Sequence, residues 1–171
     1  MQTGPSFFSC QENTDTKRKN QMGVPTAGPI LLGPPITRDE VIGRAKSWLR
    51  PSVSFSTDRR FENEHGRYRT DSSGFVCMAL AAPEMSTDEL TSTCLLVPRA
   101  ELLAGDLLIC AYYANTTRHA VIFERWTDRF RHAYLGMEQV HGIGTVRRTV
   151  LYPYEREQDS FLPRRYPMIQ D

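Results

Sequence analysis

The sequence has no apolar run near the ~20 residues that a membrane-spanning helix needs. Its first residues, "MQTGPSFFSCQENTDTKRKNQ", lack the apolar core of a secretory signal. On those two absences the expected location is cytoplasmic by default. Charge is nearly balanced, at +1 overall, which excludes a global field that would draw nucleic acid or a membrane surface. Cysteine is scarce: Cys10, Cys77, Cys94 and Cys110 show no CxxC or other metal-ligand spacing. Cys77 and Cys110 stand in apolar runs and read as small buried hydrophobes. There is no phosphate loop and no metal constellation, so neither cofactor nor metal is expected. There is no internal repeat.

What is present is an ordinary globular composition, 40% apolar and 24% charged over 171 residues. The length suits one domain with tails. Residues 1–35 are rich in Gly, Pro, Ser and charge without periodicity, and "GVPTAGPILLGPP" cannot be regular structure for long. They read as a disordered or loosely docked arm, and 36–171 as the domain.

A helix begins after Thr37, which forms a Thr-x-x-Glu capping box with Glu40. Val41, Ile42, Ala45, Trp48 and Leu49 then fall on one face, and Pro51 ends the run. The stretch 57–69, "TDRRFENEHGRYR", reads as a charged loop. A second helix is expected over 73–81 with Asp71 as N-cap, and one more turn over 86–90 with Ser86 and Glu89 as a capping box. From residue 105 strands take over: "GDLLICAYY", "HAVIFERW", "FRHAYLGMEQV" and "TVRRTVLYPY". Helices followed by an antiparallel meander argue for an α+β domain. The C-terminal "PYEREQDSFLPRRYP" is expected to pack back on that sheet.

The chemistry-bearing candidates lie in three places. Ser72 and Ser73 stand in the first turn of the second helix, where free N–H groups and the helix dipole favour a developing anion. An Asp-Ser-Ser sequence is equally a good helix cap. His119 opens one strand and His132 lies on the next, over 130–140, so the two are expected to be cross-strand neighbours. A hydroxyl on a helix with histidines on paired strands makes a nucleophile–base–orienter set possible. Asp106 reads as an ordinary turn residue, and His65 and His141 as surface residues.

Asp71-Ser72-Ser73-Gly74-Phe75-Val76 resembles the Asp-Cys-Ser-Gly-Phe-Val nucleophile motif of the NlpC family of papain-like cysteine peptidases. Ala104-Gly105-Asp106-Leu107 is similar to that family's Pro-Gly-Asp-Leu, and His119-Ala120-Val121-Ile122-Phe123 to its His-Val-x-Ile-Phe strand. Phe130-Arg131-His132-Ala133 sits where the family has its third polar residue. More narrowly, the chain resembles a group of actinobacterial and fungal proteins with "YRTDCSGFVSM", "HVVLFDRW" and "GYEQ". The last is matched by Gly136-Met137-Glu138-Gln139. The resemblance spans about residues 37–155. It implies a papain-like NlpC fold, with N-terminal helices packed on a five- to six-stranded antiparallel sheet. It also implies hydrolysis of amide bonds in short or cell-wall-type peptides, with Ser72, His119 and His132 as the site and Glu138 as the alternative third member. The implied partner is a peptide, with no nucleic acid and no membrane.

The departure falls on the nucleophile. A thiol has a pKa near 8.5 and can be brought below 7 by a helix end and a histidine. A hydroxyl ionises closer to water, at about 15.7. A helix terminus is worth at most ~2 kcal/mol, or under two pKa units at ~1.36 kcal/mol each. Ser72 therefore cannot be a stored alkoxide. It needs His119 to take its proton during attack. Three readings stay open here: a cysteine replaced by design, a natural copy that binds peptide without turnover, and a natural serine-type enzyme.

Overall fold

Local signals set the helix starts in the computed structural model, which describes residues 31–110, 118–154 and 161–171. In chain order the elements are β1 (Ile36–Thr37), α1 (Arg38–Ser47), β2 (Ser56–Asn63), β3 (Gly66–Thr70), α2 (Ser72–Ala79), α3 (Thr87–Thr93) and β4 (Leu95–Leu96). After a 3-10 turn (Arg99–Glu101) come β5 (Leu107–Cys110), β6 (His119–Trp126), β7 (Ala133–Val140), β8 (Gly144–Leu151), β9 (Leu162–Arg165) and β10 (Ile169–Gln170). Thr37 and Glu40 cap α1 reciprocally, and Ser86 and Glu89 do the same for α3. Asp71 caps α2, its Oδ1 accepting from the Gly74 N–H at 2.6 Å. Every residue of α2 is buried. Gly74 has to be glycine, because a Cβ there would run into the Arg69 carbonyl. That close approach lets α2 lie directly against β3.

Six strands form one antiparallel sheet in the order β4-β9-β5-β6-β7-β8. Two small pairings flank it: the β2–β3 hairpin and a parallel β1–β10 pair. The fold is thus α+β with helices against an antiparallel sheet, as the sequence pattern implies. The sheet divides two apolar clusters by strand parity. Leu107, Ile109, Ala120, Ile122 and Met137 face α1 and α2, with Trp48, Phe75 and Val76 in the same core. Leu108, Cys110, Val121, Phe123, Tyr134 and Val150 face the other way, against Phe161.

Three differences from the sequence reading have physical causes. The charged stretch 57–69 is the β2–β3 hairpin. Most of β2 is solvent-exposed on both faces, so no alternation marks it. The apolar run from 105 is strand over Leu107–Cys110, and its continuation lies outside the described residues, as do most of the arm 1–35 and the polar loop before Arg118. Asp106 is more than a turn residue. It is fully buried and accepts from Arg38, from both Nε and Nη2 of Arg165, and from the Leu103 N–H. The C-terminal segment does return to the sheet, with β9 inserted between β4 and β5.

Candidate active site

Ser72 is the first residue of α2 and is buried, and among the described residues its hydroxyl makes no hydrogen bond. Around it the helix start is held firmly. Ser73 Oγ donates to Asp71 Oδ1 at 3.2 Å and accepts from Arg69 at 3.2 Å. The Arg69 N–H donates to Glu84, which also pairs with Arg60. Gln139, fully buried on β7, reaches the same region. Its Nε2 donates to the carbonyls of Val53 and Thr70, both at 3.0 Å, while Thr145 Oγ1 donates to its Oε1 at 2.6 Å. Gln139 therefore ties the sheet to the turn that launches α2. Its signal in the sequence was its place beside Glu138 in "GMEQ", on the opposite strand face. Cys77 is no substitute nucleophile: burial pushes its thiol up to about 12.

His119 begins β6, with its side chain 15% exposed. Val121 pairs with Glu138 across the β6–β7 ladder, which sets His119 one diagonal step from Glu138 on the same face. His119 Nε2 lies 2.6 Å from Glu138 Oε2. Glu138 is fully buried, and its other oxygen accepts from Arg148 Nε at 2.6 Å. Tyr154 Oη donates to Oε2 at 2.9 Å. Burial on its own would raise the Glu138 carboxyl, but the hydrogen bonds and charges of His119 and Arg148 outweigh it and hold the group below the usual carboxylate range. Burial and the Glu138 charge together push the Tyr154 phenol up, so it stays a neutral donor. Arg148, Tyr154 and Phe161 were missed by the sequence reading. Only the alternation of "TVRRTVLYPY" places Arg148 in phase with Val146 and Val150.

His132 is not part of this cluster, which corrects the expected cross-strand pair. The β6–β7 ladder closes at Trp126 and Tyr134, so His132 sits in the turn at the far end of the hairpin from His119. Its side chain is 74% exposed, stacked on Phe130 and near Asp128. The residue that the structure sets against His119 is Glu138, the alternative that the motif "GMEQ" carries.

Ser72 and His119 are not joined. No hydrogen bond links them among the described residues. α2 packs on the sheet face of Ala120 and Ile122, whereas His119 shares the face of Val121 and Phe123 and meets the rings of Tyr154 and Phe161. Among the described residues no group of three His, Cys, Asp or Glu side chains is placed to hold a metal ion, and no helix is long and apolar enough to cross a membrane.

No family model and no curated protein matches the sequence. Solved structures do match the fold. An NlpC/P60 family protein from Bacillus cereus ATCC 10987 is 15% identical with a TM-score of 0.52, over 78% of this chain and 41% of that one. A protein described as similar to lipoprotein, NLP/P60 family, from Staphylococcus aureus subsp. aureus Mu50 is 16% identical with a TM-score of 0.50, over 80% of this chain and 44% of that one. This chain thus spans less than half the length of either. At these identities the likeness is one of architecture: the chain has the papain-like fold of NlpC/P60 proteins.

Proposed function

We propose that the chain is an amide hydrolase acting on short peptides, with Ser72 as nucleophile, His119 as base and Glu138 as the group that orients the base. The observation that carries this reading is the 2.6 Å contact between His119 and a fully buried, charge-stabilised Glu138. Desolvating a carboxylate costs several kcal/mol. A carboxylate placed on an imidazole nitrogen is the arrangement that orients a catalytic base. Attack by the Ser72 hydroxyl on a substrate carbonyl requires its proton to reach the imidazole, which no hydrogen bond joins to Ser72 among the described residues of the resting protein. On this reading the free N–H groups of the first turn of α2 stabilise the oxyanion. The imidazole then gives the proton to the leaving amine as the C–N bond breaks, and water, deprotonated by the same imidazole, hydrolyses the Ser72 ester and restores the hydroxyl.

A second reading is favoured by a different observation. Ser72 and His119 lie toward opposite faces of the sheet and share no hydrogen bond. On that reading the domain binds a peptide and does not turn it over.

One experiment separates the two. The Ser72→Cys variant is treated with iodoacetamide at neutral pH, with and without His119→Ala, and modified residues are mapped by mass spectrometry. The hydrolase reading expects fast modification at position 72 that drops to the rate of an ordinary thiol without His119. Equal rates in the two variants decide for the binding module.

A further inference from the structure

We propose that Arg148 and Tyr154 are positioning residues that hold Glu138 as a carboxylate and thereby fix which nitrogen of His119 is left open as a base; this rests on the hydrolase reading above. An imidazole has two tautomers, and the partner on one nitrogen decides between them. An ionised carboxylate only accepts hydrogen bonds. Against it, the neutral ring must carry its proton on Nε2, and Nδ1 is the free base. A protonated Glu138 would instead donate to Nε2, and the ring proton would move to Nδ1. The usable nitrogen is then lost.

The surroundings of Glu138 select the first state. Arg148 cannot lose its charge in a protein, and its Nε donates to Oε1 at 2.6 Å. The Tyr154 hydroxyl is oriented by what it accepts: Arg148 Nη2 donates to it at 3.2 Å, so its own proton is directed to Oε2 at 2.9 Å. His119 Nε2 meets that same oxygen. Tyr154 also limits the imidazole. Its ring lies edge-on to His119 at 5.6 Å between centroids and stacks on Phe161 at 4.3 Å, and Phe161 touches His119 in turn. The groups facing the imidazole among the described residues are thus Glu138 from β7, Arg148 from β8, Tyr154 beyond it, and Cys110, its partner on β5.

The test is made on the resting protein, without substrate, by 15N-resolved NMR of the histidine side chains at a pH where the rings are neutral. His119 is assigned by its loss in His119→Ala. The unsubstituted protein is expected to show the Nε2–H form of His119 alone. The double variant Arg148→Met/Tyr154→Phe is expected to lose that single form and show the Nδ1–H form. A folded double variant that keeps Nε2–H alone overturns the proposal. If the double variant does not fold, Tyr154→Phe alone decides. With His119 the one donor left on Oε2 among the described residues, its Nε2 proton signal is expected to move downfield, and an unmoved signal overturns the proposal. Neither signal depends on turnover. A failure of iodoacetamide labelling therefore removes the hydrolase reading without touching this result, and the reverse also holds.

Discussion

Asp106 and Glu138 are both completely buried carboxylates on the same sheet, and they are solvated in different ways. Asp106 accepts from Arg38, from two nitrogens of Arg165 and from a backbone N–H, at 2.8–3.1 Å. None of those donors changes its protonation in water near neutral pH. Among the described residues Glu138 has one such partner, Arg148. The rest of its shell is a phenol and an imidazole. Burying a carboxylate is costly in either place. Asp106 repays that cost by clamping the start of α1, the turn before β5 and β9 together, and Arg38 extends the clamp to Asp171. Glu138 joins only neighbouring strands and the segment after β8. Its distinguishing partner is a side chain that exchanges protons. The difference separates a carboxylate that fastens elements from one that, on the proposed reading, conditions a base.

Removing the fastener should give the larger loss of stability. Asp106→Ala leaves Arg38 and Arg165 without their shared acceptor, and a loss of about 3–5 kcal/mol is expected in urea unfolding. A loss well under 1 kcal/mol would erase the contrast between the two sites.

Glu138→Gln should act through pH. The folded carboxyl lies below its unfolded value, so its stabilising contribution is complete above the unfolded value and fades as pH falls through the folded one. Melting temperature followed from about pH 6 down to about pH 3 should fall less steeply in Glu138→Gln than in the unsubstituted protein. Parallel curves would show that this carboxylate is not coupled to folding. The smallest effect is expected at His132. Its exposed side chain makes His132→Ala worth less than about 0.5 kcal/mol, with labelling at position 72 of Ser72→Cys unchanged. A change in labelling would put His132 back in the site.

Much of this was legible in the residues. Both capping boxes, the Asp71 cap and the span of β6 follow from side chains that satisfy neighbouring backbone groups or from a simple alternation. The errors came where the deciding information is not local. His132 was chosen by its distance along the chain from His119. Pairing depends instead on register, and the ladder sets Glu138 opposite Val121. The β2–β3 hairpin was hidden because most of β2 buries neither face. The roles of Asp106 and Gln139 rest on partners 59 to 86 residues away, which no window along the sequence contains, and those of Arg148 and Tyr154 on strand register that spacing alone does not set.

The place of β9 has a consequence for how the molecule is made. It lies between β4 and β5, although it is the last strand of the large sheet in the chain. On a ribosome, β5 therefore emerges with the edge that will meet Leu162–Arg165 still vacant, and Asp106 emerges without Arg165. The meander from β5 to β8 can assemble by short connections, but the sheet stays in two pieces until that late segment clears the exit tunnel. Completion of the sheet thus waits for Leu162–Arg165, and an interruption of synthesis before residue 162 would release a chain with an open, apolar strand edge.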